Sequence, residues 1–178
     1  TDYLSKNINY TYSKTGNEYT TTQVSDDGSS SIVISDALGR IKKSGSINID
    51  GNWSYKNIEY DFLGRKFRES EPYASGSPTL WNTSVFDDFN RVSSTTNATG
   101  LTTTITYSNL TVTANDGTKT TSSTKNANGH VISATDPGGT ITYTYYANGN
   151  LKTSNYQGSI LSMEYNEWGA KTKLTDPS

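Results

Sequence analysis

The 178 residues carry a formal charge of −2 with no run of like charge, which excludes electrostatic capture of nucleic acid or an acidic membrane surface. Cysteine is absent, so disulfides and thiolate chemistry are excluded, and no apolar run approaches the roughly 18 residues a membrane-spanning helix needs. Only 31% of the residues are hydrophobic, yet 13 Tyr and 28 Thr make the chain β-forming and not disordered.

In chain order, Ile8, Tyr10 and Tyr12 alternate with polar residues, the period of a half-buried strand, and Gly16 follows as a turn. Asp26-Asp27-Gly28 marks the next turn, and Ser35-Asp36-Ala37-Leu38-Gly39-Arg40 the one after. Asp50-Gly51 precedes the fullest copy of the pattern, Tyr60-Asp61-Phe62-Leu63-Gly64-Arg65. There an aromatic strand end meets an Asp that can bond the backbone two residues on, and a Gly free to take positive φ. Glu71 to Thr83, with Pro72, Gly76 and Pro78, reads as an expanded loop containing Trp81. Phe86-Asp87-Asp88-Phe89-Asn90-Arg91 repeats the frame with Asn in place of Gly, and Gly100 follows.

The interval from position 90 to 129 is close to two repeats, so a degenerate copy is expected at Tyr107-Ser108-Asn109-Leu110, followed by a turn at Asn115-Asp116-Gly117. The frame returns at Asn126 to Gly129 with His130 in the Arg position, at Tyr145 to Gly149 and at Tyr165 to Gly169, with turns at Asp136 to Gly139 and Gly158 between. Ile141, Tyr143 and Tyr145 share one strand face, as do Leu161, Met163 and Tyr165. The expected fold is all-β, an antiparallel array of about eight hairpins forming a curved continuous sheet, one repeat domain over 1–178. The aromatics four before the turn Gly (Tyr12, Tyr60, Phe86, Tyr145, Tyr165) would stack into a ladder.

Tyr60-Asp61-x-x-Gly64-Arg65, with Thr135-Asp136-Pro137-x-Gly139 further on, resembles the YD-repeat or Rhs-repeat family. That family includes Rhs polymorphic toxins, the shell subunits of insecticidal toxin complexes, wall-associated proteins and teneurins. The resemblance covers essentially the whole chain. It implies a sheet that spirals into a hollow shell enclosing a toxin or another polypeptide. It also implies that the chain is a shell fragment whose partners are the rest of the parent shell or the enclosed polypeptide. The parent would be a bacterial secreted or cell-surface protein. Later copies replace Arg by His130, Asn150 and Ala170, and the family's self-cleaving module is not seen.

No catalytic, cofactor or metal residues emerge. His130 is the lone histidine and sits in the repeat's Arg position, while Asp26-Asp27 and Asp87-Asp88 are neighbours whose side chains point apart. Arg40, Arg65 and Arg91 are expected to reach a neighbouring turn's Asp or to stack on a ladder Tyr. Trp168 shares a turn position with Leu38, Leu63 and Phe89, where packing between adjacent turns is expected. Trp53 and Trp81 are the candidates for stacking on a sugar ring, the basis of an alternative reading as a carbohydrate- or adhesion-binding module. Open sheet edges at both ends are expected to self-associate.

Overall fold

The computed structural model describes residues 7–177; residues 1–6 and 178 of the expected array lie outside the described residues. All regular structure among them is β, and each strand pairs antiparallel with the next in sequence, from β1 to β16, with no crossover. Contacts divide the chain into two compact units, one reaching Asn90 and adding Thr95–Leu101, the other made of Arg91–Ser94 and the chain from Thr102 onward.

The first unit holds β1 (Ile8–Thr15), β2 (Glu18–Ser25), β3 (Ser30–Ser35), β4 (Ile41–Ile47), β5 (Trp53–Tyr60), β6 (Lys66–Ser70) and β7 (Trp81–Phe86). Strand β8 (Val92–Thr96) is divided between the units. Trp81 opens β7 opposite Ser70 and does not lie in the loop, because the loop closes one residue earlier through the Glu71 N–H to the Leu80 carbonyl, 2.9 Å. Inside that loop Tyr73 bridges back to Tyr55 with two backbone bonds of 2.8 and 3.0 Å, extending the sheet past the end of β6. Ser70, fully buried, accepts the Asn57 N–H at 2.9 Å on its Oγ.

The second unit holds β9 (Thr102–Ser108), β10 (Thr111–Asn115), β11 (Thr120–Lys125), β12 (Val131–Asp136), β13 (Gly139–Tyr145), β14 (Leu151–Tyr156), β15 (Ser159–Tyr165) and β16 (Lys171–Thr175). The degenerate copy lies where the spacing puts it. Thr111 pairs directly with Ser108, and Asn109, at φ 52°, does the left-handed work of the missing glycine.

Little of this sheet is buried. Met163 is the one apolar side chain classed as buried among the described residues, at 7% exposure. Both outermost strands, β1 and β16, are exposed along their whole length. The turn apolars are largely exposed, Leu38 and Phe89 each at 78% and Trp168 at 90%. The packing expected between adjacent turns is therefore not how these residues are used.

Candidate functional site

The recurring site is a clamp built at five-residue turns that begin with Asp or Asn, among them those at Asp36, Asp61, Asn126 and Asn166. At Asp61 the backbone closes with the Asp61 N–H donating to the Arg65 carbonyl (2.9 Å) and the Gly64 N–H to the Asp61 carbonyl (2.9 Å). The Asp61 carboxylate caps the turn from within: Oδ1 accepts the N–H groups of Leu63 (3.0 Å) and Arg65 (2.9 Å), and Oδ2 accepts Arg65 Nε (2.7 Å). Asp36 repeats the arrangement with Leu38 and Arg40 at 2.9, 2.9 and 2.7 Å. Asn126 and Asn166 do the same through one amide oxygen, to His130 and Ala170 respectively. Arg40 and Arg65 thus bond their own turn's Asp, where a neighbouring turn's Asp or a ladder Tyr had been expected.

The rest of the guanidinium reaches forward to the next hairpin. Arg40 lies over the Tyr60 ring at 4.8 Å, Arg65 over Phe86 at 4.4 Å and Arg91 over Tyr107 at 4.1 Å. His130 stacks on Tyr145 at 4.7 Å and 22°. Each ring answers through its hydroxyl to the residue after the clamp. Tyr60 donates to the Ile41 carbonyl (3.0 Å), Tyr107 to Val92 (2.9 Å) and Tyr145 to Val131 (2.6 Å). Phe86 has no hydroxyl, and there Arg65 Nη1 donates to Asn90 Oδ1 at 2.6 Å. A partly exposed cation over a ring contributes about 0.5–1 kcal/mol. The expected ring-on-ring ladder is thus replaced at these rings by alternation of cation or imidazole with aromatic. A ring every second strand is too far from the next to touch it, and the clamp residue fills the gap.

Turn glycines serve the clamp in two ways. Gly64, at φ 81°, takes a backbone other residues adopt only at about 1–2 kcal/mol, and a Cβ there would lie 2.9 Å from Arg40 Nη1. At Gly149 a Cβ would meet the His130 ring at 3.3 Å. At the last of these turns the Tyr165 ring meets Tyr146 edge-on at 6.0 Å, and a Cβ at Gly169 would lie 3.8 Å from Asn150 Nδ2.

Gly16 departs from the frame. Tyr12 sits mid-strand opposite Thr21, 75% exposed, and β1 runs on to Thr15 opposite Glu18, leaving a two-residue turn. Ser13 stands where the frame has Asp or Asn, so nothing caps a five-residue turn there. Conversely, the turns at Gly51 and Gly100 have the five-residue geometry, closed by Asn48 with Asn52 and by Asn97 with Leu101. The Asn three before each Gly was the signal for it.

The tryptophans picked out for sugar stacking carry protein groups on their rings. Trp53 is stacked on Tyr55 at 5.6 Å and 5°, and Trp81 is covered by Arg68 at 4.2 Å, itself held by Glu59 through bonds of 2.9 and 2.8 Å. Asp26 and Asp27 take separate donors, the N–H groups of Asn7 and Ser29. No group of three or more His, Asp or Glu able to hold a metal occurs among the described residues. No helix among them is long and apolar enough to cross a membrane.

The clamp is pH-sensitive in a defined direction. Desolvation raises the Asp36 and Asp61 carboxyls, but the Arg40 and Arg65 side-chain and backbone hydrogen bonds outweigh it and hold both below their ordinary value of 3.8. A carboxyl depressed in the folded state binds protons more readily when unfolded. Its contribution is therefore complete above about pH 4 and disappears as pH falls through the depressed value. Thermal melts followed by circular dichroism should lose midpoint below about pH 4. The double variant Asp36→Asn with Asp61→Asn should flatten that slope while keeping the turn, as Asn126 and Asn166 do; an unchanged slope would remove the carboxylates as its source.

The fold defined by these observations is a serial antiparallel hairpin-repeat sheet. Solved toxin-complex structures share it: TcdB2-TccC3 matches with a TM-score of 0.53 at 18% identity over 90% of this chain and 10% of that one. The Photorhabdus luminescens Tc holotoxin pore matches with a TM-score of 0.54 at 17% identity over the same shares. The chain thus spans about a tenth of the length of the chains it matches. No family model matches the sequence, and no curated protein does.

Proposed function

We propose that this chain is a non-enzymatic wall segment of a YD-repeat or Rhs-like β-shell that encloses or displays another polypeptide, such as a toxin. The observation that carries this reading is the forward clamp. A device joining one hairpin to the next, present at Arg40, Arg65, Arg91 and His130, builds a sheet by serial addition of like units. The likeness of fold to toxin-complex structures supports it. Partners on this reading are the remainder of the shell and its contents, with self-association through free edges where the chain stands alone. A bacterial, secreted or surface-exposed parent fits. The single repeat domain over 1–178 is part of the same proposal.

The reading as a carbohydrate- or adhesion-binding module ranks below it, because Tyr55 stacks on Trp53 and Arg68 lies over Trp81, each taking up ring surface that a sugar would use. Electron microscopy of the full-length polypeptide carrying this chain decides the matter. A hollow closed particle is expected, and a solid or extended one would overturn the shell.

A further inference from the structure

Two turns of the second unit carry the same tripeptide in the same backbone geometry. Ala127-Asn128-Gly129 and Ala147-Asn148-Gly149 form the tips of five-residue turns, with the glycines at φ 84° and 88°. Each glycine donates its N–H to the carbonyl of the turn's first residue, Asn126 at 3.0 Å and Tyr146 at 2.9 Å. Asn128 and Asn148 are both exposed, so water reaches either. In an Asn-Gly pair the glycine nitrogen can approach and attack the asparagine side-chain amide, because no Cβ stands in the path. The two sites differ in what surrounds that reaction.

At the first turn Asn126 supplies the cap, its Oδ1 accepting the N–H groups of Asn128 and His130, each at 3.0 Å. The second turn opens with Tyr146, whose hydroxyl is donated away to the Met163 carbonyl at 3.0 Å. The Asn150 N–H, which an Asx cap would have taken, goes instead to Asn148 Oδ1 at 3.1 Å. That bond closes an Asx turn and folds the Asn148 amide back along the chain towards the Gly149 nitrogen. It also sets a donor on the oxygen where negative charge gathers during attack. The second difference is the chain's lone imidazole. The His130 ring, stacked on Tyr145, turns its Cε1–Nε2 edge to Gly149, where a Cβ would lie 3.3 Å from both atoms. Matching points on successive hairpins are two strand spacings, about 9–10 Å, apart, so an edge against Gly149 is out of reach of the Gly129 nitrogen.

We propose that Asn148-Gly149 is a self-modification site, at which the folded chain converts its own asparagine to aspartate or isoaspartate with His130 as the base. The Gly149 nitrogen attacks Asn148 Cγ while its proton passes to His130 Nε2, the imidazole acting in the tautomer protonated at Nδ1. The N–Cγ bond forms, and the Asn150 N–H holds the oxyanion on Oδ1. The imidazolium returns its proton to the departing Nδ2, the Cγ–Nδ2 bond breaks, and ammonia leaves a cyclic imide. Water then opens the ring. Breaking the new N–Cγ bond gives aspartate, and breaking the original peptide bond gives isoaspartate. The Gly149 N–H must first leave the Tyr146 carbonyl, which keeps the step slow. Isoaspartate adds a carbon to the main chain of a turn closed by the Tyr146 N–H to the Asn150 carbonyl at 2.9 Å, so this product loosens the β13–β14 hairpin.

Both asparagines fall in one tryptic peptide, Asn126 to Lys152, so a single digest of the full-length polypeptide reads them side by side. After incubation of the folded protein near neutral pH, mass spectrometry with fragmentation should find Asn148 converted about tenfold faster than Asn128. In urea that excess should vanish, since the fold supplies both the donor and the base. His130→Phe keeps an aromatic ring for Tyr145 but carries no nitrogen, and should bring Asn148 down to the rate of Asn128 with the β-sheet circular dichroism unchanged. His130→Gln, polar but not basic, should do the same and serves if the phenylalanine variant does not fold. Asn148 left unconverted, or converted no faster than Asn128 in the folded protein, overturns the proposal. An excess at Asn148 that survives substitution of His130 overturns the assignment of the base.

Discussion

Met163→Ala should lower the stability of the chain by about 2–3 kcal/mol, read by urea denaturation followed at the β-sheet circular dichroism signal. Met163 lies in β15 opposite Leu174, and its burial is the nearest the second unit comes to a core. It sits beneath an aromatic pair. Tyr146 donates its hydroxyl to the Met163 carbonyl at 3.0 Å, the Tyr165 hydroxyl lies 3.7 Å from the Met163 sulfur, and the two rings meet edge to face at 6.0 Å. Truncation leaves a void under both rings, whereas Met163→Leu keeps the volume and should cost less than about 1.5 kcal/mol. Equal stability of the alanine variant and the parent would mean that the tyrosine pair does not depend on what it covers.

Gly45→Ala is expected to destabilise by about 1–3 kcal/mol, the reverse of the gain of about 0.5–1 kcal/mol that replacing a strand glycine ordinarily gives. Gly45, in β4, pairs with Tyr55 in β5 and Ile32 in β3. A Cβ there would lie 2.5 Å from Tyr55 Cδ1, 2.8 Å from Tyr55 Cε1 and 3.2 Å from Ile32 Cγ2. The ring cannot swing away freely. It is stacked on Trp53 at 5.6 Å, packed on Tyr73 at 5.8 Å, and covered by Lys43 at 4.1 Å. Combined with Tyr55→Ala, Gly45→Ala should add little to the cost of Tyr55→Ala alone, because the clash vanishes with the ring. A stabilised Gly45→Ala single variant would show that the aromatic cluster yields.

The hairpins were legible because their punctuation is chemical: an Asx three residues before a Gly supplies both the turn's internal acceptor and its left-handed residue. That same rule separates Gly16 from the frame and admits Gly51 and Gly100 to it, but it misses the turn at Gly149, which begins with Tyr146, and takes in Gly139 and Gly158, which sit at two-residue turns. The aromatic preceding the turn and the Arg following it were visible too, and the expected stacking of Arg on a ladder Tyr is found at Arg40 with Tyr60 and Arg91 with Tyr107, but not which ring each Arg takes. Arg40 reaches Tyr60, 20 residues on, while His130 reaches Tyr145, 15 on, so no fixed interval advertises the contact. The two faces of the second unit were hidden for a different reason. Bulges at Thr124/Lys125, Thr144/Tyr145 and Glu164/Tyr165 shift the register, so counting alternation through a turn loses the face on the far side. Exposure of Leu38, Phe89 and Trp168 depends on how far a turn projects, which residue type alone does not encode.

Because strands neighbour one another in chain order, and the one added bridge, Tyr55 to Tyr73, spans 18 residues, no strand has to wait for a distant part of the chain to be synthesised. Such a chain has low contact order, so its assembly can proceed as a zipper, each hairpin docking on the last as it emerges and closing only a short loop to do so. Growth of the gene by duplication of a hairpin would then lengthen the product without asking any existing strand to find a new partner.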